Sequence, residues 1–178
     1  KAVEIAVLAE ELGFDSIWVY DHFHNVPAPA HEAVFECWTT MAAISQRTSR
    51  IRLGQMVGCN LYRPPSLLAK ITSTLDVISG GRLDWGIGAG WYENECRGYG
   101  YPFPVPKDRI AMLREAVEIV SSLWTQPEAT YDGKYYQLSR ARARKGDAEG
   151  AREALARFEE LKKSQQATGG MATGRDRK

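Results

Sequence analysis

Two groups of residues in this chain have the types and spacing that chemistry requires. The first is Asp21-His-Phe-His24, which follows a short apolar run over 15–20 that suits a buried strand. The second is Gly86-x-Gly-x-Gly90, at the end of another such run. Imidazole exchanges a proton near neutral pH, and glycines let a ligand approach main-chain N–H groups closely. Together they predict a site for a flat or anionic cofactor with a proton-transferring group beside it.

The glycine loop matches neither of the common nucleotide-binding motifs. A dinucleotide fingerprint requires a third glycine at the position of Trp91, and a P-loop requires a following Gly-Lys-Ser/Thr, which is not there. A glycine cluster is also compatible with a tight turn that binds nothing. The loop taken alone therefore leaves both a binding site and a purely structural turn open.

The elements that must position these residues alternate between helix and strand. Apolar residues at helical spacing predict helices over about 3–12, 35–47, 65–78 and 108–124, and continuous apolar runs predict strands over 15–20, 51–57 and 83–87. A hairpin over 130–138 is predicted from Asp132-Gly133 between β-prone residues. Such alternation favours a parallel sheet, which gathers site residues at the carboxyl ends of its strands. The same spacing predicts four core tryptophans: Trp18, Trp38, Trp85 and Trp124.

Composition excludes several classes of protein. A chain of 178 residues is long enough for one domain, and its net charge of +1 argues against a nucleic-acid surface or a polybasic membrane anchor. It shows no apolar run that could span a bilayer and no secretory leader. We therefore expect a cytoplasmic protein without nucleic-acid or membrane partners. The three widely spaced cysteines, with no C-x-x-C pair, predict reduced, buried thiols.

The character of the chain changes near residue 139. Residues 1–138 carry 12 Lys+Arg against 16 Asp+Glu, whereas residues 139–178 carry 11 against 6. An Ala/Glu/Arg-rich helix is predicted over 146–163 and disorder over 165–178. The sequence therefore predicts an α/β domain over 1–138 and a basic helix with a disordered tail over 139–178.

Four motifs across residues 2–138 are similar to those of one enzyme superfamily. They are Leu12–Phe23, Arg63–Lys70, Leu75–Arg82 and Gly86–Glu95. In order and spacing they resemble the bacterial-luciferase-like monooxygenases, and most closely the branch that uses the deazaflavin coenzyme F420. The resemblance implies a flavin- or deazaflavin-dependent oxidoreductase that transfers a hydride between F420 and an unknown small organic substrate.

The same resemblance implies a (β/α)8 TIM barrel with only part of it present. Residues 1–138 would form roughly half of the barrel, with the first strand missing before Lys1, and residues 139–178 would be an unrelated helical tail. Three parallel strands with open edges leave backbone groups unpaired. We therefore expect the chain to be unstable alone or inactive.

Site residues follow from the resemblance as well. His22 would face the deazaflavin ring and move a proton as hydride leaves or reaches it, and Asp21 would bind the cofactor head or orient the loop. A bulge at Met56-Val57, often a cis peptide in this family, would press on one ring face. The other implied cofactor-binding residues are Asn60, Gly88, Ala89, Gly90, Trp91 and Asn94. The full-length protein is expected to be a homodimer.

Three alternatives remain open at this point. The same fold with FMN as cofactor would be a luciferase-like monooxygenase. A truncated or chimeric product would have no activity. A metal-dependent barrel hydrolase would use His22-x-His24 as a metal pair, but it needs further His and Asp ligands, and residues 139–178 supply no histidine.

Overall fold

The computed structural model describes residues 1–27 and 31–142. The helices are α1 (Ala2–Glu11), α2 (Cys37–Ser45), α3 (Pro65–Ser79), α4 (Glu93–Gly98) and α5 (Pro106–Thr125). The strands are β1 (Ser16–Val19), β2 (Arg52–Gln55), β3 (Gly58–Cys59), β4 (Leu83–Asp84), β5 (Ile87–Gly88), β6 (Glu128–Asp132) and β7 (Gln137–Arg142). The helix predicted over 146–163 and the tail after it lie outside the described residues.

Parallel strands form the centre of the fold. A three-stranded sheet has the order β1-β2-β4, with Ser16 beside Arg52 and Leu53 beside Leu83. A second parallel pair, β3-β5, continues the same two chain segments. The predicted parallel α/β arrangement is therefore confirmed. The chain pairs in two separate short stretches after each predicted start: β3 lies just beyond the strand predicted over 51–57, and the strand predicted over 83–87 is divided into β4 and β5.

One extra residue in the segment 52–59 explains the division. Gly58 comes five positions after Leu53, whereas its neighbour Ile87 comes only four positions after Leu83. The surplus lies at Met56-Val57, whose peptide bond is cis. A bulge of this kind interrupts pairing and re-aims side chains. The bulge and the cis bond implied by the resemblance are thus both present.

The main core lies between the sheet and the helices α1, α2 and α3. Its buried members are Ala6, Cys37, Trp38, Met41, Ile44, Ile51, Leu53, Leu68 and Leu75. Ile17 and Val19 pack against this core, so the side chain between them must point to the opposite face of the sheet. That side chain is Trp18, which is 44% exposed and lies over Gly54, so its prediction as a core residue was wrong. Trp38 is buried as predicted.

The other two predicted core tryptophans are only partly buried. Trp85 and Trp124 meet edge to face, with ring centroids 4.8 Å apart. The Trp124 indole N–H donates to the carbonyl of Ala69, at 3.3 Å. This contact joins α5 to α3 beside the sheet.

A buried arginine joins the helices to the sheet at the end opposite the glycine loop. Helix α3 ends at Gly80, whose φ of 71° is the left-handed conformation that favours glycine. Two residues later the Arg82 guanidinium donates to main-chain carbonyls of Ser45, Thr48, Ile51 and Ser79, at 2.6–3.0 Å. It also donates to the Thr48 hydroxyl, at 3.0 Å. Arg82 therefore ties the ends of α2 and α3 to the start of β2.

The predicted hairpin is confirmed as β6-β7, an antiparallel pair. It is attached to α5 by Glu115, whose carboxylate accepts the N–H groups of Lys134, Tyr135 and Tyr136 at 2.9–3.0 Å. Strand β7 continues across the domain boundary predicted at residue 138, and that boundary stays a prediction. Within the described ranges, none of the helices has the length and apolar character needed to cross a membrane.

Candidate active site

A cleft of about 270 Å³ opens where the parallel strands end. Three segments form its walls: the residues after β1, the bulge after β2, and the glycine loop after β5. Their lining residues are Asp21, His22, Met56, Val57, Gly58, Cys59, Tyr62, Gly88, Ala89, Gly90, Trp91 and Tyr92. The carboxyl ends of neighbouring parallel strands meet at one edge, so segments far apart in sequence share this cleft.

His22 is held through one ring nitrogen by a carboxylate that sequence reasoning had not assigned to the site. Its Nδ1 lies 2.6 Å from Oε2 of Glu95, on the short helix α4. The Glu95 side chain is fully buried, and that of His22 is largely buried. Because the imidazole meets Glu95 through Nδ1, its other ring nitrogen is the one left for the cleft.

The two carboxylate oxygens of Glu95 have four hydrogen-bonding partners. Oε2 accepts from the Tyr62 hydroxyl at 2.5 Å and forms its second hydrogen bond with Nδ1 of His22. Oε1 accepts the main-chain N–H groups of Phe23 and His24, the latter at 3.2 Å. Each carboxylate oxygen therefore has two hydrogen-bonding partners. These contacts hold the start of the loop after β1 in place.

These donors keep Glu95 ionised. Burial acts to raise the pKa of Glu95, but the hydrogen bonds from Tyr62 and His22 outweigh it, and the pKa lies below its usual range. Burial, reinforced by this carboxylate, raises the pKa of Tyr62, which therefore remains a neutral donor. A buried anion thus sits directly behind the imidazole.

Aromatic rings surround the open side of His22. The Tyr20 and Trp91 rings lie 5.5 and 5.8 Å from the imidazole, centroid to centroid. Trp91 stacks on Tyr92 at 5.0 Å, and the Tyr92 hydroxyl donates to the Pro27 carbonyl at 2.7 Å. The loop that follows β1 is thereby attached to the glycine loop across the cleft.

Asp21 is engaged in a different network. Its carboxylate accepts hydrogen bonds from both terminal nitrogens of Arg63, at 2.7 and 2.9 Å, and from the Cys59 N–H at 2.8 Å. Arg63 also donates to Glu36 at 2.7 Å. Asp21 therefore joins the end of β1 to β3 and to the residues before α3. Of the two roles that the resemblance implied, these contacts favour orienting the loop.

Close packing against neighbouring residues explains why the loop has glycines. A Cβ atom at position 86 would lie 2.7 Å from the Gln55 carbonyl oxygen, and one at position 88 would lie 2.9 Å from Cγ2 of Val57. Gly90 has a φ of 82° and faces Leu61 and Cys59. Side chains at these positions would push the bulge and the loop apart, so the glycines keep the cleft in shape.

Comparison with known proteins decides the family. Residues 1–160 match the family model described as luciferase-like monooxygenase. This chain belongs to the luciferase-like monooxygenase family. An F420-dependent glucose-6-phosphate dehydrogenase from Amycolatopsis mediterranei is 38% identical over 139 residues, which cover 76% of this chain and 41% of that relative. The chain thus spans about 41–51% of the length of the curated relatives it matches.

Solved luciferase-like structures show the same fold. One is an F420-dependent secondary alcohol dehydrogenase in complex with an F420-acetone adduct, at 30% identity and a TM-score of 0.68, over 79% of this chain and 42% of that one. Another is a type II Baeyer-Villiger monooxygenase from Pseudomonas putida in complex with FMN, at 25% identity and a TM-score of 0.65, over 81% and 38%. The prediction of a partial luciferase-like TIM barrel is confirmed.

The luciferase-like cleft contains most of the residues predicted for it, but not all. Asp21, His22, Met56, Val57, Gly88, Ala89, Gly90 and Trp91 line it together. Asn60 is buried beside it instead: its N–H donates to the Gly88 carbonyl at 3.0 Å, and its side-chain amide donates to the Tyr136 hydroxyl at 3.3 Å. Asn94 is exposed on α4. The roles of all these residues toward a cofactor stay predictions.

Glu95 and Tyr62 are the site residues that sequence reasoning missed. Glu95 closes the motif Gly86–Glu95, but helix α4 was not predicted, and without it nothing indicated which acid of that segment points inward. Tyr62 stood in a polar turn before Pro64 and Pro65. The only available signal was the place of Glu95 within a family motif.

The metal alternative finds no support in the part of the chain that the structure describes. Residues 1–27 and 31–142 contain no group of three or more His, Cys, Asp or Glu side chains arranged to hold a metal ion. His24, the proposed second ligand, directs Nδ1 to the Asn25 carbonyl at 3.1 Å. His22 meets Glu95 through its own Nδ1.

Proposed function

We propose that this chain forms the proton-transferring side of an oxidoreductase site that moves a hydride between coenzyme F420 and a small organic substrate. One observation carries the proposal: His22 and the glycine loop 88–90, predicted to bracket a flat redox ring, line the same cleft. A relative and a solved structure named for F420 support the choice of cofactor.

The residues of the cleft suit a deazaflavin. Met56 and Val57, 68% and 49% exposed, are apolar side chains at the bulge that a flat ring would cover. Gly88 and Gly90 expose main chain to the same cleft as the His22 imidazole. When bound, F420 would accept or deliver the hydride.

The protein's own part is positioning and proton transfer. The free ring nitrogen of His22 would take the proton released by an alcohol or similar group, or return it in the reverse direction. Met56 and Val57 would contact the cofactor and exclude water from it. Asp21, held by Arg63, would keep the bulge and the loop after β1 at a constant separation.

FMN is the second candidate cofactor, and one observation favours it. The Baeyer-Villiger monooxygenase that shares this fold was solved with FMN. Titrating the purified chain with F420 and with FMN, each followed by its own fluorescence, separates the two. We expect F420 to bind at least about tenfold more tightly, a difference of about 1.4 kcal/mol. Tighter binding of FMN would favour the monooxygenase alternative, and binding of neither would support an inactive fragment.

A pair of matched variants tests the assigned site. His22→Asn should weaken F420 binding, whereas His31→Asn, at an exposed residue between β1 and α2, should leave it unchanged. Equal effects of the two variants would contradict the assigned site. The wider proposal includes a cytoplasmic location and a homodimer for the full-length protein.

A further inference from the structure

The carboxylate of Glu95 has two oxygens with different partners, and this difference defines the proton position on His22. Oε1 accepts two main-chain N–H groups, from Phe23 and His24. Oε2 accepts from the Tyr62 hydroxyl and lies 2.6 Å from Nδ1 of His22. Main-chain N–H groups can only donate, so the Oε1 side of residue 95 must always be an acceptor.

An ionised carboxylate has no proton to give. The Tyr62 hydroxyl already donates to Oε2 at 2.5 Å, and the Nδ1 atom of His22 lies 2.6 Å from the same oxygen. Two atoms this close to an acceptor-only group must both carry protons. In the neutral imidazole a proton on Nδ1 leaves Nε2 bare.

We propose that Glu95 is a positioning residue that holds His22 in the tautomer protonated on Nδ1, so that Nε2 is the proton-accepting atom of the cleft. Tyr62 is the second donor that keeps Oε2 turned toward the imidazole. The tautomer itself depends only on contacts within residues 22–95. Its consequence for hydride transfer rests on the proposed function.

Glutamine at position 95 is expected to reverse the tautomer. Its single oxygen must stay with the two main-chain N–H groups, which places its NH2 group against His22 and Tyr62. An NH2 group donates, so Nδ1 of His22 must accept, and the imidazole proton moves to Nε2. Glu95→Gln therefore converts the cleft-facing atom from an acceptor into a donor with almost no change of shape.

The experiment is a long-range ¹H–¹⁵N spectrum of the imidazoles in the full ¹⁵N-labelled chain at pH 8, without cofactor. The three histidines are assigned by single substitution. In the wild type, we expect His22 to show a protonated Nδ1 and a bare Nε2, and in Glu95→Gln the two nitrogens should exchange these states. Glu93→Gln, at an exposed acid of the same helix paired with Arg97, is the matched control and should leave the wild-type pattern.

Two results would overturn the assignment: a wild-type His22 protonated on Nε2, or a folded Glu95→Gln variant with the wild-type pattern. The wild-type spectrum alone shows which nitrogen of His22 carries the proton. The assignment can therefore be tested even if Glu95→Gln does not fold. Tyr62→Phe leaves Glu95 ionised beside His22 and should keep the wild-type pattern. A failure to bind F420 in a separate titration would remove the proposed function and leave the tautomer assignment intact.

Discussion

The carboxylate of Asp21 and the guanidinium of Arg63 face each other as a two-bonded pair, with N–O distances of 2.7 and 2.9 Å. Both side chains are buried or nearly so. The pair links the residue next to His22 with the segment that begins α3. Two parallel hydrogen bonds fix the relative orientation of the guanidinium and the carboxylate as well as their separation. The pair therefore orients this wall of the cleft.

Breaking this pair should be costly. Asp21→Asn leaves the Arg63 charge with Glu36 alone, and removing one partner of a buried pair destabilises by about 3–5 kcal/mol. Urea unfolding of the full chain should show a lower midpoint with an unchanged slope. Glu36→Gln is the control because that side chain is 38% exposed. Loss of its ion pair with Arg63 should cost about 1 kcal/mol or less. Equal costs for the two variants would contradict this account.

Arg82 should not tolerate replacement by lysine. Its guanidinium makes five hydrogen bonds, four of them to main-chain carbonyls, and an ammonium group has three donors and no planar fork. Carbonyls left unsatisfied cost about 1–3 kcal/mol each, so Arg82→Lys should lose at least about 2 kcal/mol of unfolding free energy. Arg47→Lys, on an exposed residue, should change it by less than about 0.5 kcal/mol. A loss for Arg82→Lys no greater than for Arg47→Lys would argue that the carbonyls find other donors.

Acid should weaken the junction between α1 and β2. Glu10 accepts the N–H groups of Ile51, Arg50 and Ser49, and these bonds, that of Ile51 first, lower its pKa to about 2. A carboxyl whose folded pKa is depressed contributes stability above its ordinary pKa and loses it as pH falls toward the folded value. The contribution should therefore be complete above about pH 5 and disappear between there and about pH 2.

The comparison of wild type with Glu10→Gln measures this contribution. The wild type should be more stable by about 1 kcal/mol at pH 6, after allowance for solvent screening of a surface carboxylate. The difference should shrink as pH is lowered. Glu11→Gln, at the exposed neighbouring acid, should show no such trend. A gap between wild type and Glu10→Gln that does not change with pH would show that the Glu10 charge is not involved.

Adding one methyl group at Gly88 should impair the cleft. Its Cβ would lie 2.9 Å from Cγ2 of Val57, too close for either atom to stay in place. Gly88→Ala should therefore displace the Val57 side chain at the bulge and weaken F420 binding by about tenfold, or about 1.4 kcal/mol, in a fluorescence titration. Gly98→Ala is the control, because a Cβ at that position would meet no atom within 4 Å. Unchanged affinity in Gly88→Ala would separate the bulge from the cofactor site.

Local patterns were enough for the elements and for part of the site. Helical spacing located α2 and α3, Pro65 marked the first turn of α3, and Asp132-Gly133 located the hairpin β6-β7. His22 and the glycine loop were found from residue type and from their places after apolar runs. These are properties of neighbouring residues, which the chain displays before it folds.

Contacts between distant segments required the tertiary structure. Glu95 lies 73 positions from His22, and Tyr62 lies 33 positions from Glu95, so no spacing rule relates them. Trp18 was expected in the core from the spacing of the apolar residues, but strand alternation places it on the other face of the sheet. Which acid stands behind the imidazole depends on how α4 packs beneath the loop after β1. Burial and long-range hydrogen bonding decide that, and neither can be read from a linear pattern.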